Sequence, residues 1–352
     1  MIIDVLKVVV PSVLTFVLGI AIAPFFTDFF YKHKMWKKSP RVNAGDITNN
    51  DFSKNHNTEA ELSTPRIGGM IIWVAVILTV LLIYLLSVFI PNDLTIKLNF
   101  FSRGQTLVPL AGLILGAVIG LLDDLLQIFG KGEYAKDPLI YRKIKVGCIG
   151  LIGIVVGYWF YDKLGVSEIH IPFNGELDLG YFFIPFFILV MLGVFSASVI
   201  DGMDGLSGGV LTSIFTAYSV IAFVNGQIDI AVLCAVIGGG ILAFLWFNIP
   251  PARFYMGETG MLGLTVTLSI IVFLTNSVLV LLIIGLPLVV TSLSVVIQII
   301  SYKYFGKRRV FRVAPLHHHF EAIGWSREKI VMRYWLISVV CAISGVIVAL
   351  VS

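Results

Sequence analysis

Charge is scarce in this chain: only 13% of its 352 residues are Asp, Glu, Lys or Arg, against 58% hydrophobic. A soluble domain carries about 25% charged residues, so the shortfall excludes an ordinary water-soluble fold and points to the membrane class. Mean hydropathy is +0.95. Cysteine is nearly missing too. Cys148, Cys234 and Cys341 lie far apart, each inside an apolar run. That excludes a disulfide framework or a thiolate metal site and leaves three small buried hydrophobes. No internal repeat is visible. The start has no basic segment before a short apolar core. Instead Met1-Ile-Ile-Asp-Val-Leu-Lys7 leads into apolar sequence through Phe26, the pattern of an uncleaved first span.

What is present is apolar length. A helix needs about 20 apolar residues to cross the hydrocarbon. Runs at 5–27, 67–90, 106–124, 144–161, 179–200, 206–224, 230–248, 258–275, 277–301 and 334–351 qualify. Residues 259–302 carry no charge, and Thr275-Asn276-Ser277 reads as the turn dividing them into two spans, with Pro287 kinking the second. The expected fold is an all-α polytopic membrane protein of about ten transmembrane helices, a single integral membrane domain over 1–352. With both termini outside, all but four of the 25 Lys and Arg (Lys7, Lys97, Arg103 and Lys163) fall on the inner side. Outside, residues 168–179 alternate around Asn174-Gly175, which predicts a small external β-hairpin.

Four polar sets map to inner helix ends. Asp123-Asp124 closes an apolar run, where two adjacent carboxylates repel unless a cation or proton relieves them; a plain polar stop is the bland alternative. Asp201-Gly-Met-Asp204-Gly opens the sixth span, and a spacing of three places both acids on one side of a helical turn. A tight loop with one capping Asp is the alternative there. Asn248-Ile-Pro-Pro-Ala-Arg-Phe-Tyr255-Met-Gly-Glu258-Thr-Gly joins spans seven and eight. The N–H groups of a helix start suit phosphate there, and Glu258 is a lone acid in apolar surroundings, read either as functional or as a helix cap. Finally, His317-His318-His319-Phe-Glu321 lies beside Lys307, Arg308, Arg309 and Arg312. Three consecutive histidines cannot all reach one ion from regular structure, so one ligand with phosphate-binding neighbours fits better than a closed zinc site. Hard carboxylates suit Mg²⁺ and basic groups suit phosphate. Together they read as phosphoryl transfer at a membrane surface, with one substrate arriving through the bilayer.

At these motifs the chain resembles the polyprenyl-phosphate sugar-1-phosphate transferases, and within them the phospho-N-acetylmuramoyl-pentapeptide transferases. The most specific stretch is Pro315-Leu-His-His-His-Phe-Glu321 with Gly324-Trp325. Next comes the Phe-Asn-x-Pro-Pro-Ala loop leading to Met-Gly-Glu258-Thr-Gly. The resemblance implies a Mg²⁺-dependent enzyme of peptidoglycan synthesis in the bacterial cytoplasmic membrane, with its active site on the cytoplasmic face. Undecaprenyl phosphate would attack the sugar-proximal phosphate of UDP-MurNAc-pentapeptide, giving lipid I and UMP. Carried over by position, Asp123 and Asp124 would handle the lipid phosphate, one as base. Asp201, Asp204, Ser198, Asn248 and Lys131 would belong to the substrate pocket, and Tyr255 would stack on uracil. Glu258, with Asp201, would hold Mg²⁺, and His317, His318 and His319 would contact phosphates or orient the acids. Membrane lipid is an expected partner, nucleic acid is not, and the resemblance makes a homodimer reasonable.

The chain departs from the family pattern at several points. Glu258 stands where Asp is usual, Ser198-Val-Ile-Asp201 where Asn-Leu-Thr-Asp is usual, and Arg66 where Thr is usual. A family Lys before that segment is replaced by a stretch with Glu59 and Glu61. Gln127 takes the place of a basic residue, though Lys131 remains. These changes keep open a paralogue that moves another UDP-amino-sugar phosphate, such as GlcNAc-1-phosphate. An ion-coupled transporter is the remote alternative, and it would place ionisable groups in mid-span within repeated halves.

Overall fold

The computed structural model describes residues 2–37, 62–102, 104–130 and 138–352; Glu59, Glu61, Arg103 and Lys131 lie outside them. The chain begins with α1 (Ile2–Lys32) and α2 (Met70–Phe89). A short α3 (Asp93–Leu98) precedes α4 (Leu107–Phe129) and α5 (Pro138–Lys163). The hairpin follows as β1 (Glu168–Ile171) and β2 (Gly175–Asp178), antiparallel with Glu168 opposite Asp178 and Ile171 opposite Gly175. Then come α6 (Phe183–Ser196), α7 (Leu206–Val224), α8 (Ile228–Asn248), α9 (Gly257–Leu274), a short α10 (Leu281–Ile284), α11 (Leu286–Tyr304), a short α12 (Leu316–Ala322) and α13 (Arg327–Val351).

Ten helices among the described residues are long and apolar enough to cross a membrane. Helices dominate because hydrocarbon offers no partner to a backbone N–H or C=O, and a helix satisfies both internally. The uncharged stretch divides as expected: α9 stops at Leu274, and Asn276 adopts a positive φ of 49°. Pro287 behaves differently from expectation. It lies in the first turn of α11 rather than inside a bent helix, where its missing N–H leaves no bond unmade.

Helix α9 is the core of the bundle, buried from Thr259 through Phe273. Its hydroxyls bond back to its own carbonyls: Thr265 to Met261 at 2.7 Å, Thr267 to Gly263 at 2.8 Å and Ser269 to Thr265 at 2.8 Å. Polar atoms can therefore sit in a dry interior. Helix α4 lies against it along Gly112, Gly116 and Gly120, a four-residue repeat of small residues that lets two backbones touch. A side chain at Gly116 would meet the Leu262 carbonyl at 2.6 Å, and one at Gly120 would strike the Glu258 carbonyl. At the far end of α9, Asn276 accepts the His170 N–H at 3.2 Å and donates to Glu176 at 3.2 Å, fastening the hairpin there.

Candidate active site

The close α4–α9 contact brings the end of one helix onto the start of the other. Asp123 and Asp124 are adjacent in sequence but take different partners. Asp123 Oδ2 accepts from Lys145 Nζ of α5 at 2.9 Å and from Gln127 Nε2 one helical turn on, also at 2.9 Å. The same ammonium lies 2.9 Å from Glu258 Oε1. Asp124 Oδ2 accepts the Thr259 N–H at 2.9 Å, and its carboxylate also takes the Glu258 N–H. Asp124 thus caps α9 from another helix. The expected repulsion within the Asp pair is relieved by Lys145 on one side and by a helix N-terminus on the other. One expectation changes: those N–H groups, read from sequence as open to phosphate, are already bonded to Asp124.

Two carboxylate oxygens in this cluster, Asp124 Oδ1 and Glu258 Oε2, are buried without a hydrogen-bond partner. Among the described residues no three of His, Cys, Asp and Glu converge on a single point, so a closed zinc shell is not formed. A few hard oxygens with open positions suit Mg²⁺, which keeps water or phosphate in its shell. Asp124 Oδ1 and Glu258 Oε2, the two unpartnered oxygens, fit that ion.

The 249–256 loop ties this cluster to the next. Asn248, buried at the end of α8, accepts the Gly205 N–H at 2.8 Å and donates to the Phe254 carbonyl at 2.9 Å. Tyr255, half-buried, is fixed through its backbone: its N–H donates to Pro65 O at 2.8 Å and its carbonyl accepts from Gly68 at 2.9 Å. Asp201 and Asp204 are not two acids on one helical face. A 3₁₀ turn holding Ser198 ends at Ile200, and α7 begins only at Leu206, after Gly205 at φ 77°. Asp201 Oδ1 accepts the Ser207 hydroxyl at 2.8 Å, while Asp204 takes the Ala252 N–H and lies near Arg327. Burial outweighs both and raises the Asp204 pKa above the usual carboxylate range.

The histidines meet this turn and point three ways, as consecutive residues must. His317 is fully buried, with both ring nitrogens unpartnered and its ring against Gly202. Burial, with His318 beside it, holds its pKa well below the ordinary imidazole value. His318 Nδ1 lies 3.0 Å from Glu321 Oε2, and Arg327 Nε donates to Glu321 Oε1 at 2.7 Å. Burial pushes the Glu321 carboxyl up, but these two hydrogen bonds win and leave it below its usual range. His319 Nδ1 accepts the Arg312 N–H at 3.1 Å, and burial and the Arg312 charge lower its pKa.

The four motifs therefore form one connected surface, through Asn248 to Gly205 and Gly202 to His317. Three contributors were not singled out from sequence. Lys145 served there only to orient the chain, yet it is half-buried whereas Arg142 and Lys143 are exposed. Gln298 of α11 accepts the Val310 and Phe311 N–H groups at 3.2 and 3.0 Å, steadying the segment that leads into the histidines. Arg327 orients Glu321. A polar Gln in an apolar run was the available signal for Gln298.

The glycosyl transferase family 4 model matches residues 106–276, which hold Asp123, Asp124, Asp201, Asn248 and Glu258. Over 341 residues the chain is 33% identical to the phospho-N-acetylmuramoyl-pentapeptide-transferase of Geobacillus sp. (strain WCH70), covering 96% of each. The same-named protein of Clostridium perfringens (strain 13 / Type A) is 33% identical over 336 residues, 95% of this chain and 96% of the relative. That of Listeria monocytogenes serotype 4b (strain CLIP80459) is 32% identical over 339 residues, 95% and 96%. With ten apolar helices, a connected acid-and-histidine surface at their ends, and relatives matched along almost their whole length, the chain belongs to the phospho-N-acetylmuramoyl-pentapeptide-transferase family.

Proposed function

We propose that this multi-pass membrane protein transfers phospho-MurNAc-pentapeptide from UDP-MurNAc-pentapeptide to undecaprenyl phosphate. The products are lipid I, for peptidoglycan synthesis, and UMP. The observation that carries the reading is the joining of Asp123 and Glu258, from two spans, by Lys145, with Asp124 bonded to the same helix start. A bilayer-borne phosphate and a water-soluble nucleotide can meet there. The Lys and Arg bias supports a cytoplasmic site in a bacterial inner membrane, with both termini outside.

An oxygen of the lipid phosphate attacks the phosphorus next to the sugar. The bond from that phosphorus to the bridging oxygen breaks, and UMP leaves with the electron pair. Asp124 Oδ1, the carboxylate oxygen without a partner, takes the proton when the lipid phosphate arrives as a monoanion. Asp123, held by Lys145 and Gln127, stays ionised and fixes the geometry. Glu258 and Asp124 would hold Mg²⁺, which neutralises phosphate charge when bound. Asp201 shapes the nucleotide side with Ser198, Asp204, Asn248 and Tyr255. Neutral His317 donates or accepts one hydrogen bond at a phosphate oxygen, while His318, oriented by Glu321, and His319 flank it. Lys131 supplies a further cation for the nucleotide.

The test offers purified protein undecaprenyl phosphate and Mg²⁺ with either UDP-MurNAc-pentapeptide or UDP-GlcNAc, and measures UMP. We expect release from the first alone. Release from UDP-GlcNAc alone would overturn the assignment in favour of the GlcNAc-1-phosphate paralogue.

A further inference from the structure

Residues 64–69 are bolted to the corner that carries Glu258. Besides the two bonds at Tyr255, Gly69 N–H donates to the Met256 carbonyl at 2.9 Å, and Arg66 N–H donates to Met35 O at 3.1 Å. The Arg66 carbonyl lies against Gly257, so closely that a side chain there would strike it. The same side chain would come within 2.6 Å of Asp124 Oδ2. Arg66 is therefore a fixed part of the carboxylate cluster. It is only 8% exposed, and its positive charge acts on Asp124.

Its hydrogen bonding is incomplete. Arg66 Nε is buried with no acceptor, and Asp124 Oδ1 nearby is equally without a partner. An unpaired buried guanidinium donor is expensive, and a fold that keeps one has a use for it. Of the two described cations at the cluster, Lys145 is committed to Asp123 and Glu258, and Arg66 is the one with a donor unmet. A planar fork of N–H donors matches two oxygens of a phosphate. A carboxylate ligand would gain little here, since two carboxylate oxygens of the cluster, Asp124 Oδ1 and Glu258 Oε2, already lack a donor.

We propose that Arg66 is a substrate-binding residue that grips a phosphate oxygen at the carboxylate cluster, a role that rests on the transferase reading. That phosphate is either the diphosphate of the nucleotide donor or the head of the lipid acceptor. The test uses full-length wild type, Arg66→Gln and Arg66→Lys in detergent. It measures KM for UDP-MurNAc-pentapeptide and for undecaprenyl phosphate, direct binding of UDP, and melting temperature. Loss of a charge-assisted hydrogen bond should raise one KM by about tenfold or more in Arg66→Gln. Arg66→Lys, which keeps the charge but not the fork, should raise the same KM by less.

A higher donor KM with weaker UDP binding identifies the diphosphate; a higher acceptor KM with UDP binding unchanged identifies the lipid phosphate. Both KM values and UDP binding at wild-type level in Arg66→Gln overturn the inference, as does a lower melting temperature and kcat with neither KM moved. If Arg66→Gln does not fold, unchanged KM values in Arg66→Lys overturn it in its place. A wild type that releases no UMP from any UDP-sugar fails the transferase reading, whereas wild-type turnover with unaltered variants fails only this inference.

Discussion

At the scale of single residues, Lys145 neutralises two acids at once. Removing one partner of a largely buried ion pair strands the other, which costs about 3 kcal/mol. Lys145→Met should therefore lower the melting temperature in detergent, and added Mg²⁺ should raise the variant's melting temperature more than the wild type's. An equal Mg²⁺ response would mean that Mg²⁺ does not bind at the acids Lys145 neutralises. His317 gives a pH dependence with a definite sign. Its unfolded imidazole titrates near 6.5 and its folded one well below that. In the interval under 6.5 the unfolded state therefore binds more protons, and stability falls as pH drops through it, while above it the contribution is flat. Glu321 adds a second loss lower down. Its folded pKa is depressed, so its stabilisation is present above the ordinary carboxyl value of 4.5 and lost below it. Melting curves from about pH 7.5 to about pH 5 should slope less in His317→Gln than in wild type. The paired acids were legible in the sequence because carboxylates at a span end are conspicuous. Lys145 was not, since basic residues at inner span ends also serve topology, and only packing separates it from Arg142 and Lys143. The spacing of Asp201 and Asp204 misled for another reason: a helical turn was assumed where Gly202 and Gly205 permit a non-helical one.

At the scale of elements, the α4–α9 seam positions the chemistry. A methyl group at Gly120 would push on the backbone of Glu258 itself. Gly120→Ala should destabilise by about 1–3 kcal/mol through overpacking, and a displacement near 1 Å at the site should lower kcat about a hundredfold. UMP release set against melting temperature separates the two effects. Helix α11 acts at longer range. Its buried face carries Thr291, Ser294, Gln298 and Ser301, and Ser294 Oγ accepts the Leu316 N–H at 2.9 Å where α12 begins. Gln298→Leu leaves two backbone N–H groups without their acceptor, at about 1–3 kcal/mol each. Turnover should fall while far-UV helicity is kept. Spans of this kind are read easily from apolar runs; a polar stripe that holds a loop is not, because its partners lie 12 or 13 residues downstream.

At the scale of the molecule, orientation is the testable property. The native cysteines are buried or half-buried, so introduced ones report cleanly. Phe173→Cys in the hairpin should react with a membrane-impermeant maleimide on intact spheroplasts, and Arg308→Cys only after lysis; the reverse pattern would invert the topology. The number of spans and the hairpin were legible because lipid enforces helix length and Asn-Gly enforces a turn. The joining of four distant motifs was not, because it depends on the 249–256 loop reaching both Gly205 and Pro65. The burial of α9 also bears on biogenesis. Nearly nine-tenths of that helix is enclosed by the others, and none of the ten spans is less apolar. It has the weakest claim on lipid, and the helices it packs against, chiefly α4 and α6 with α2, all precede it in synthesis. Its seat is therefore complete when it emerges, so the acids around Glu258 can come together at that moment, while the site as a whole waits for the histidines of α12.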